Sequence, residues 1–358
     1  MNTLYKLFIS LLLLVLSASV VLAGNPDRQG EAGAAELLLN PWARSAGLHT
    51  MNTSSISGVE SMRLNIAGLS RMVGKEFVVA NTRLYEGADV SLNAVGFGNK
   101  VGSSGAFGIS LTAVDFGEIP ITTASNPEGT GGTFSPSFFN LGLGYSYMYD
   151  NKISVGLLVR AVSESISNLT AFGMAIDAGV QYVSGERDNF KLGISLRNIG
   201  SSLSFKGEGL SFQTDADNGV TVTASQRAAQ FEMPSVLNIG ISYDFYIGSR
   251  TDSEGNSLTQ NILLRALGNF TSNAFSRDQI GGGVELVFGG KFTLRGGYKA
   301  ELGAIGAIQE NLYTGLAGGA SVELPFNAAG EKRIGIDYAY RTTNPFRGTH
   351  NFSIRLLL

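Results

Sequence analysis

The chain has 358 residues, 47 of them glycine and none of them cysteine, and a net charge of −3. Charged residues make up 15%, against about 25% in ordinary soluble domains. Without cysteine there are no disulfides, thiolate metal sites, cysteine nucleophiles or lipid-attached bacterial N-terminus, and a near-neutral charge supplies no basic patch for nucleic acid. Glycine without a repeat period, beside only 8 prolines, fits neither collagen nor a disordered linker.

Lys6 precedes an apolar run over 7–16 and a small-residue stretch ending in Val21-Leu22-Ala23 before Gly24. A cationic start, an apolar core and an A-x-A-like site are the parts of a removable secretory signal, expected over residues 1–23. A retained anchor would need a longer apolar run, and nothing downstream reaches the ~18 consecutive apolar residues of a transmembrane helix. Residues 24–74 are irregular, and they are expected to plug a barrel or to form a periplasmic segment. Leu37, Leu38, Leu39, Leu64, Ile66 and Leu69 in this stretch would line an apolar pocket or form the core of the plug.

From residue 75 the apolar residues alternate with polar or small ones, the period of a strand whose two faces meet different surroundings. Phe190, Leu192, Ile194 and Leu196 alternate with Lys191, Gly193, Ser195 and Arg197, and Leu237 to Phe245 repeats the pattern. Such segments fall at about 75–84, 87–98, 103–116, 136–149, 153–166, 171–184, 189–199, 234–248, 260–271, 278–289, 291–302, 312–326, 332–342 and 348–358. Most reach the ~9–11 residues that a tilted strand needs to cross a bilayer, longer than the ~5–6 usual in a soluble sandwich. Tyr145, Tyr147, Tyr149, Tyr243, Phe245, Tyr338 and Tyr340 stand near strand ends on the apolar face, where aromatic girdles meet membrane interfaces. The expected fold is therefore all-β: a 14-stranded antiparallel transmembrane barrel over 75–358.

The two longest connections, near 117–135 and 200–233, then share one end, the outside of an outer-membrane barrel. Thr130, Thr214 and Ser225 are placed there, and Ser253 and Asn327 at the periplasmic end. The inward face carries charges of both signs: Asp89, Arg160, Asp177, Lys191, Arg197, Asp244, Arg265, Glu285, Arg295, Lys299, Glu301, Glu323, Asp337, Arg341 and Arg355. Mixed signs favour a paired network over a selective ring. Inward Gly142, Gly144, Gly193, Gly240, Gly281, Gly283, Gly315 and Gly319 would leave room for a plug or relieve strand curvature.

The run Pro41-Trp42-Ala43-Arg44-Ser45-Ala46-Gly47-Leu48 resembles the N-terminal P-x-A-R-S-x-G-M-G signature of the PorV/PorQ family. Asn65, Gly68 and Leu69 resemble its N-P-A-G-L, with Ile66 in place of the proline. Ile336-Asp337-Tyr338-Ala339-Tyr340 and Gly348 to Ile354 are similar to its last hairpin, with Asn351 where a basic residue is common. The resemblance implies a FadL-like outer-membrane barrel that works with a type IX secretion system. Its partners would be secretion components and the C-terminal domains of secreted cargo, and it implies either a cargo shuttle or an attachment-complex member.

From the residues themselves, the 200–233 connection mixes apolar Leu203, Phe205, Leu210, Phe212, Val220, Val222, Phe231 and Met233 with polar ones, and is read as a partner-docking loop open to strand addition. The alternative is a FadL-like transporter of hydrophobic small molecules, resting on fold; a passive porin is disfavoured by the crowded lumen. No cofactor, metal site or nucleic-acid partner is expected, and the surrounding partner is outer-membrane lipid. An enzyme is not expected either. His49 lacks neighbouring ligands, and the odd offset between His350 and Ser353 sends their side chains to opposite faces of a strand.

Overall fold

The computed structural model describes residues 25–85, 87, 89–215, 220–247, 250–251, 257–258, 262–303, 311–327, 331–343 and 346–358. The signal segment expected over 1–23, and Ser253, lie outside the described residues. Fourteen strands form one closed antiparallel barrel. They are β1 Lys75–Leu84, β2 Val90–Val101, β3 Gly105–Asp115, β4 Ser137–Tyr149, β5 Ile153–Ile166, β6 Leu169–Ser184 and β7 Phe190–Gly200. The second half comprises β8 Val236–Ile247, β9 Ile262–Asn273, β10 Gln279–Phe288, β11 Phe292–Glu301, β12 Gly315–Pro325, β13 Arg333–Arg341 and β14 Thr349–Leu357. The seam pairs β14 with β1, Leu357 opposite Glu76 and Asn351 opposite Thr82. Closure leaves no edge of the main sheet unpaired.

The period-two pattern has the physical consequence expected of it. Along β6, Phe172, Met174, Ile176 and Val180 point outward while Ala171, Ala175, Asp177 and Gln181 are buried inside. The outward surface is a continuous apolar wall, and its aromatic residues cluster near strand ends. Tyr147 and Tyr149 have ring centroids 4.8 Å apart, as do Tyr243 and Phe245, and Tyr338 lies 4.9 Å from Phe352. This is the surface that lipid demands of a barrel.

One irregularity breaks the alternation. Between β6 and β7 the register shifts at Ile176/Ala178, so that Arg197 and Asn198 together oppose Asp177. Asn198 takes φ 59°, and both it and Arg197 turn inward, as a bulge requires. The backbone N–H of Asn198 donates to Asp177 at 2.7 Å.

Inside lies the segment from 25 to 74, coiled as short helical turns at Ala35–Leu38, Ala43–Ala46, Ser61–Leu64 and Ile66–Arg71. It is a core rather than a tail: Leu37, Trp42, Leu48, Met51, Met62, Leu64 and Leu69 are each almost wholly buried. The wall donates to its backbone from many strands. Gln181 reaches the Ile56 carbonyl at 2.9 Å, Ser146 the Ala67 carbonyl at 2.9 Å, Arg160 the Met62 carbonyl at 2.7 Å and Asn351 the Asn40 carbonyl at 3.0 Å.

Two expectations need correction. Asp89 is not on the inward face. It sits exposed in the β1–β2 connection, where Tyr85 and Asp89 both adopt positive φ and β2 begins only at Val90. Among the predicted inward glycines, Gly142 and Gly315 do not face the plug; a Cβ there would meet Ser110 and Thr342 respectively.

The connections 116–136 and 201–235 leave the same end of the barrel, since each joins an odd-numbered strand to an even-numbered one. Single cysteines at Thr130 and Thr214, both exposed, are expected to react with a membrane-impermeant maleimide on intact cells. Asn327, in the β12–β13 turn at the opposite end, is expected to stay unlabelled until the outer membrane is opened. The chain has no background thiol. Equal labelling at Asn327 and Thr214 would overturn the strand count between them.

Candidate functional site: a cavity between plug and wall

Glycines in the wall bring the plug and strands into direct contact. A Cβ on Gly193 would stand 2.4 Å from the Thr53 carbonyl oxygen and 2.6 Å from Ser54 Cα. Gly144 and Gly156 face Ile66, Gly240 faces Thr53, Gly281 faces Met51, Gly283 faces Leu48, and Gly319 lies 3.1 Å from a Cβ placed on Gly47. Room for the plug is therefore the role of these inward glycines.

The residues that resemble the N-terminal family signature belong to this plug, while those of the last hairpin lie on β13 and β14 and in the turn between them. Arg44 binds Glu60 at 2.9 Å and approaches Glu76 of β1 at 3.6 Å. Burial opposes its charge, but Glu60, Glu76 and Asp337 outweigh that, so its pKa stands above the ordinary guanidinium value. Asn65 caps the turn beginning at Ile66 and donates to the Val180 carbonyl at 3.1 Å. Pro41 offers its carbonyl to Thr82 at 3.2 Å, while Gly47, Gly68 and Leu69 are buried. These residues fix the plug in the wall.

Most inward charges neutralise one another. Arg160 pairs with Asp177 at 2.6 Å and Arg355 with Asp337 at 2.7 Å. A longer chain runs from Lys191 to Asp244, Arg265, Glu285 and Arg295, with Arg265 2.6 Å from Asp244 and Arg295 2.5 Å from Glu285. This is the paired network that the mixed signs imply.

At the loop end the packing opens into a cavity of about 350 Å³. Leu84, Tyr85, Val90, Val114 and Phe116 form one apolar flank, Leu38 and Leu39 with Glu36 of the plug lie beneath it, and Leu312 and Tyr313 complete the rim. Arg197, Lys299, Arg341 and His49 line the same cavity, with Arg341 4.1 Å from the centre of the Tyr313 ring. Of the apolar residues weighed as pocket lining, Leu38 and Leu39 serve that role, whereas Leu37, Ile66 and Leu69 are buried in hydrophobic clusters and Leu64 is buried beside them in the chain.

The 200–233 connection divides. Leu203 and Met233 are buried in the cluster that holds Leu37 and Leu39, with Phe205 and Phe231 packed on it. Leu210 is half-buried at the base of a hairpin, Ser211–Asp215 with Thr221–Ser225, from which Phe212, Val220 and Val222 project exposed. Half of the residues read as a docking loop thus cap the lumen. The sequence alone carries no signal of that partnership.

His350 and Ser353 separate as their offset requires. Nδ1 of His350 bonds the Tyr338 hydroxyl at 2.9 Å on the outward side, while Ser353 is buried and accepts from the Ala43 backbone at 3.0 Å.

The architecture is a closed barrel of 14 antiparallel strands around an N-terminal plug. Its fold is similar to the Pseudomonas putida toluene transporter TodX (TM-score 0.53, 14% identity, 89% of this chain and 97% of that one). The Ralstonia pickettii toluene transporter TbuX gives a TM-score of 0.53 at 14% identity, over 89% of this chain and 97% of that one. At such identity the likeness is one of fold. No family model and no curated protein matches the sequence.

Proposed function

We propose that this protein is a non-enzymatic outer-membrane barrel that admits small hydrophobic molecules from the loop end into the cavity between plug and wall. The cavity itself carries the reading. Its volume, about 350 Å³, falls in the ~300–1,000 Å³ range of small-molecule sites, and its lining combines apolar with polar and charged side chains. The outward apolar wall and its aromatic ends support the outer membrane as its location, and the shared fold with two toluene transporters supports the solute class. Filling the cavity tests it. Val114→Trp, on β3 in the cavity lining, is expected to cut uptake of a small apolar solute into proteoliposomes at least tenfold while the folded barrel band is retained on gel electrophoresis. Unchanged uptake would overturn the reading.

A second reading is favoured by different residues. The likeness of Pro41 to Leu48, of Asn65 to Leu69 and of the last hairpin to the PorV/PorQ family supports a role in type IX secretion. The exposed Phe212, Val220 and Val222 would then offer the hairpin to cargo C-terminal domains or attachment-complex proteins. Co-purification from gently solubilised outer membranes tests it, and recovery of neither secretion component nor cargo would remove its support.

A further inference from the structure

The apolar wall runs unbroken round the barrel but not at constant height. On β6 six successive outward residues are apolar: Phe172, Met174, Ile176, Ala178, Val180 and Tyr182. On β1 only Phe77 and Val79 are, and the next outward positions are Asn81 and Arg83. Across the ladder β2 answers them with Phe97, Val95, Asn93 and Ser91. Each outward step along a strand tilted ~35–45° gains about 5 Å of membrane depth. Six steps therefore match the ~25 Å apolar band of a spanning barrel, whereas two cover about 10 Å.

The register fixes the level of this polar notch. Asn81 and Asn93 share a row with Phe352 and Tyr338, and Arg83 and Ser91 share the next row, toward the loop end, with His350 and Tyr340. One row deeper, Val95, Val79, Ile354 and Ile336 are all apolar. The notch thus begins at the level of the aromatic residues and faces the outer leaflet.

A cavity of about 530 Å³ lies there on the lipid side, with Asn81, Arg83, Asp89, Ser91 and His350 in its lining. The Asn81 amide donates to Asn93 at 2.8 Å and the Asn93 amide to Ser91 at 3.3 Å. A Tyr338 hydroxyl that donates to Nδ1 of His350, 2.9 Å away, puts the imidazole proton on Nε2, as a further donor. Among the described residues Arg83 meets no carboxylate, although Asp89 lines the same cavity. A cation on the lipid face of a barrel is destabilising in proportion to its depth, so this guanidinium calls for an anion from the membrane side.

We propose that the notch on β14, β1 and β2 binds the phosphorylated sugar headgroup of an outer-leaflet glycolipid. Arg83 takes the phosphate, whose oxygens match its planar fork. Asn81, Asn93, Ser91 and His350 meet the sugar hydroxyls, and the acyl chains descend over Phe352 and Ile354. The site lies outside the barrel and does not depend on what enters the lumen.

Native mass spectrometry of the purified full-length protein in detergent tests this, with bisphosphorylated lipid A, the same lipid A stripped of phosphate, and phosphatidylglycerol as probes. One lipid A is expected to be retained, about tenfold more tightly than either of the others, the usual worth of one charge-assisted hydrogen bond. Arg83→Gln, at an exposed position, is expected to abolish that preference, and Ser163→Leu, outward on β5 in the same row, to leave it intact. Equal retention of the stripped lipid would overturn the phosphate contact, and equal retention of phosphatidylglycerol the sugar contact. Displacement of lipid A by free glucosamine 1-phosphate at equal concentration would show a soluble sugar phosphate as the ligand and overturn the lipid. A mass of two chains that lipid A does not dissociate would give the notch to a second copy and overturn the proposal, as would an unchanged preference in Arg83→Gln.

Discussion

Replacing Gly193 by valine is expected to unseat the plug and convert a closed barrel into a conducting one. The clash is with backbone, because a Cβ at this position falls 2.4 Å from the Thr53 carbonyl oxygen and 2.6 Å from Ser54 Cα. Neither atom can yield cheaply. The Thr53 carbonyl accepts from Asn65 at 3.0 Å and from Gln181 at 3.1 Å, and Ser54 bonds Ser242 of β8 at 3.0 Å. Overpacking of a tight core costs about 1–3 kcal/mol, and here the relief lies in displacing the plug while the strand ladder survives. Planar-bilayer recordings should show steps in G193V that the unaltered protein lacks. Gly318→Val is the control, since its Cβ would meet only the Arg295 carbonyl, at 3.7 Å. A silent G193V barrel with unaltered protease resistance of the plug would refute the role given to these glycines.

The second large effect concerns the wall itself. Asp244→Ala removes the carboxylate that binds Lys191 on β7 and Arg265 on β9, and so leaves two cations facing the lumen without it. Breaking a buried pair by removing one partner costs about 3–5 kcal/mol, much of it the desolvation of the orphaned charge. Arg265 retains Glu285 at 2.7 Å, which places the expected loss at the lower end, about 3 kcal/mol. The heat-induced shift of the folded band on gel electrophoresis should move to clearly lower temperature in D244A. The double variant D244L/K191M should recover part of the difference, because it removes a charge along with its partner. Identical transitions in D244A and the unaltered protein would show that the network does not hold these strands together.

The barrel was legible because lipid outside and packed protein inside impose opposite demands on successive residues, so the pattern appears residue by residue over β6 or β8. Strand ends shifted by up to three residues where loop chemistry intervenes. Tyr85 and Asp89 in positive-φ conformations delay β2, and this also removed Asp89 from the lumen. The bulge at Arg197 and Asn198 was not legible, since both neighbouring stretches keep their alternation and only the relative register betrays it.

The site was half legible. Arg197, Lys299 and Arg341 read as inward from strand period, and Leu38 and Leu39 stood out as apolar residues in an irregular segment. What period cannot tell is which cations find carboxylates, because that depends on which strands are neighbours and at what register. Nor can it say that Leu203, Phe205 and Phe231 turn back over the lumen. Their partners, Leu37 and Leu39, lie more than 150 positions earlier in the chain.

Trp42 gives this arrangement an optical consequence. It is the only tryptophan in the chain, 1% exposed, and packed among Val59, Val78, Ala80 and Ala94 where plug and wall meet. Indole emission shifts to longer wavelength when the ring passes from an apolar pocket to water, and no second indole is present to dilute the change. The fluorescence of the unmodified protein therefore reports on the seating of a single internal element while the 14 strands around it stay dark at that wavelength.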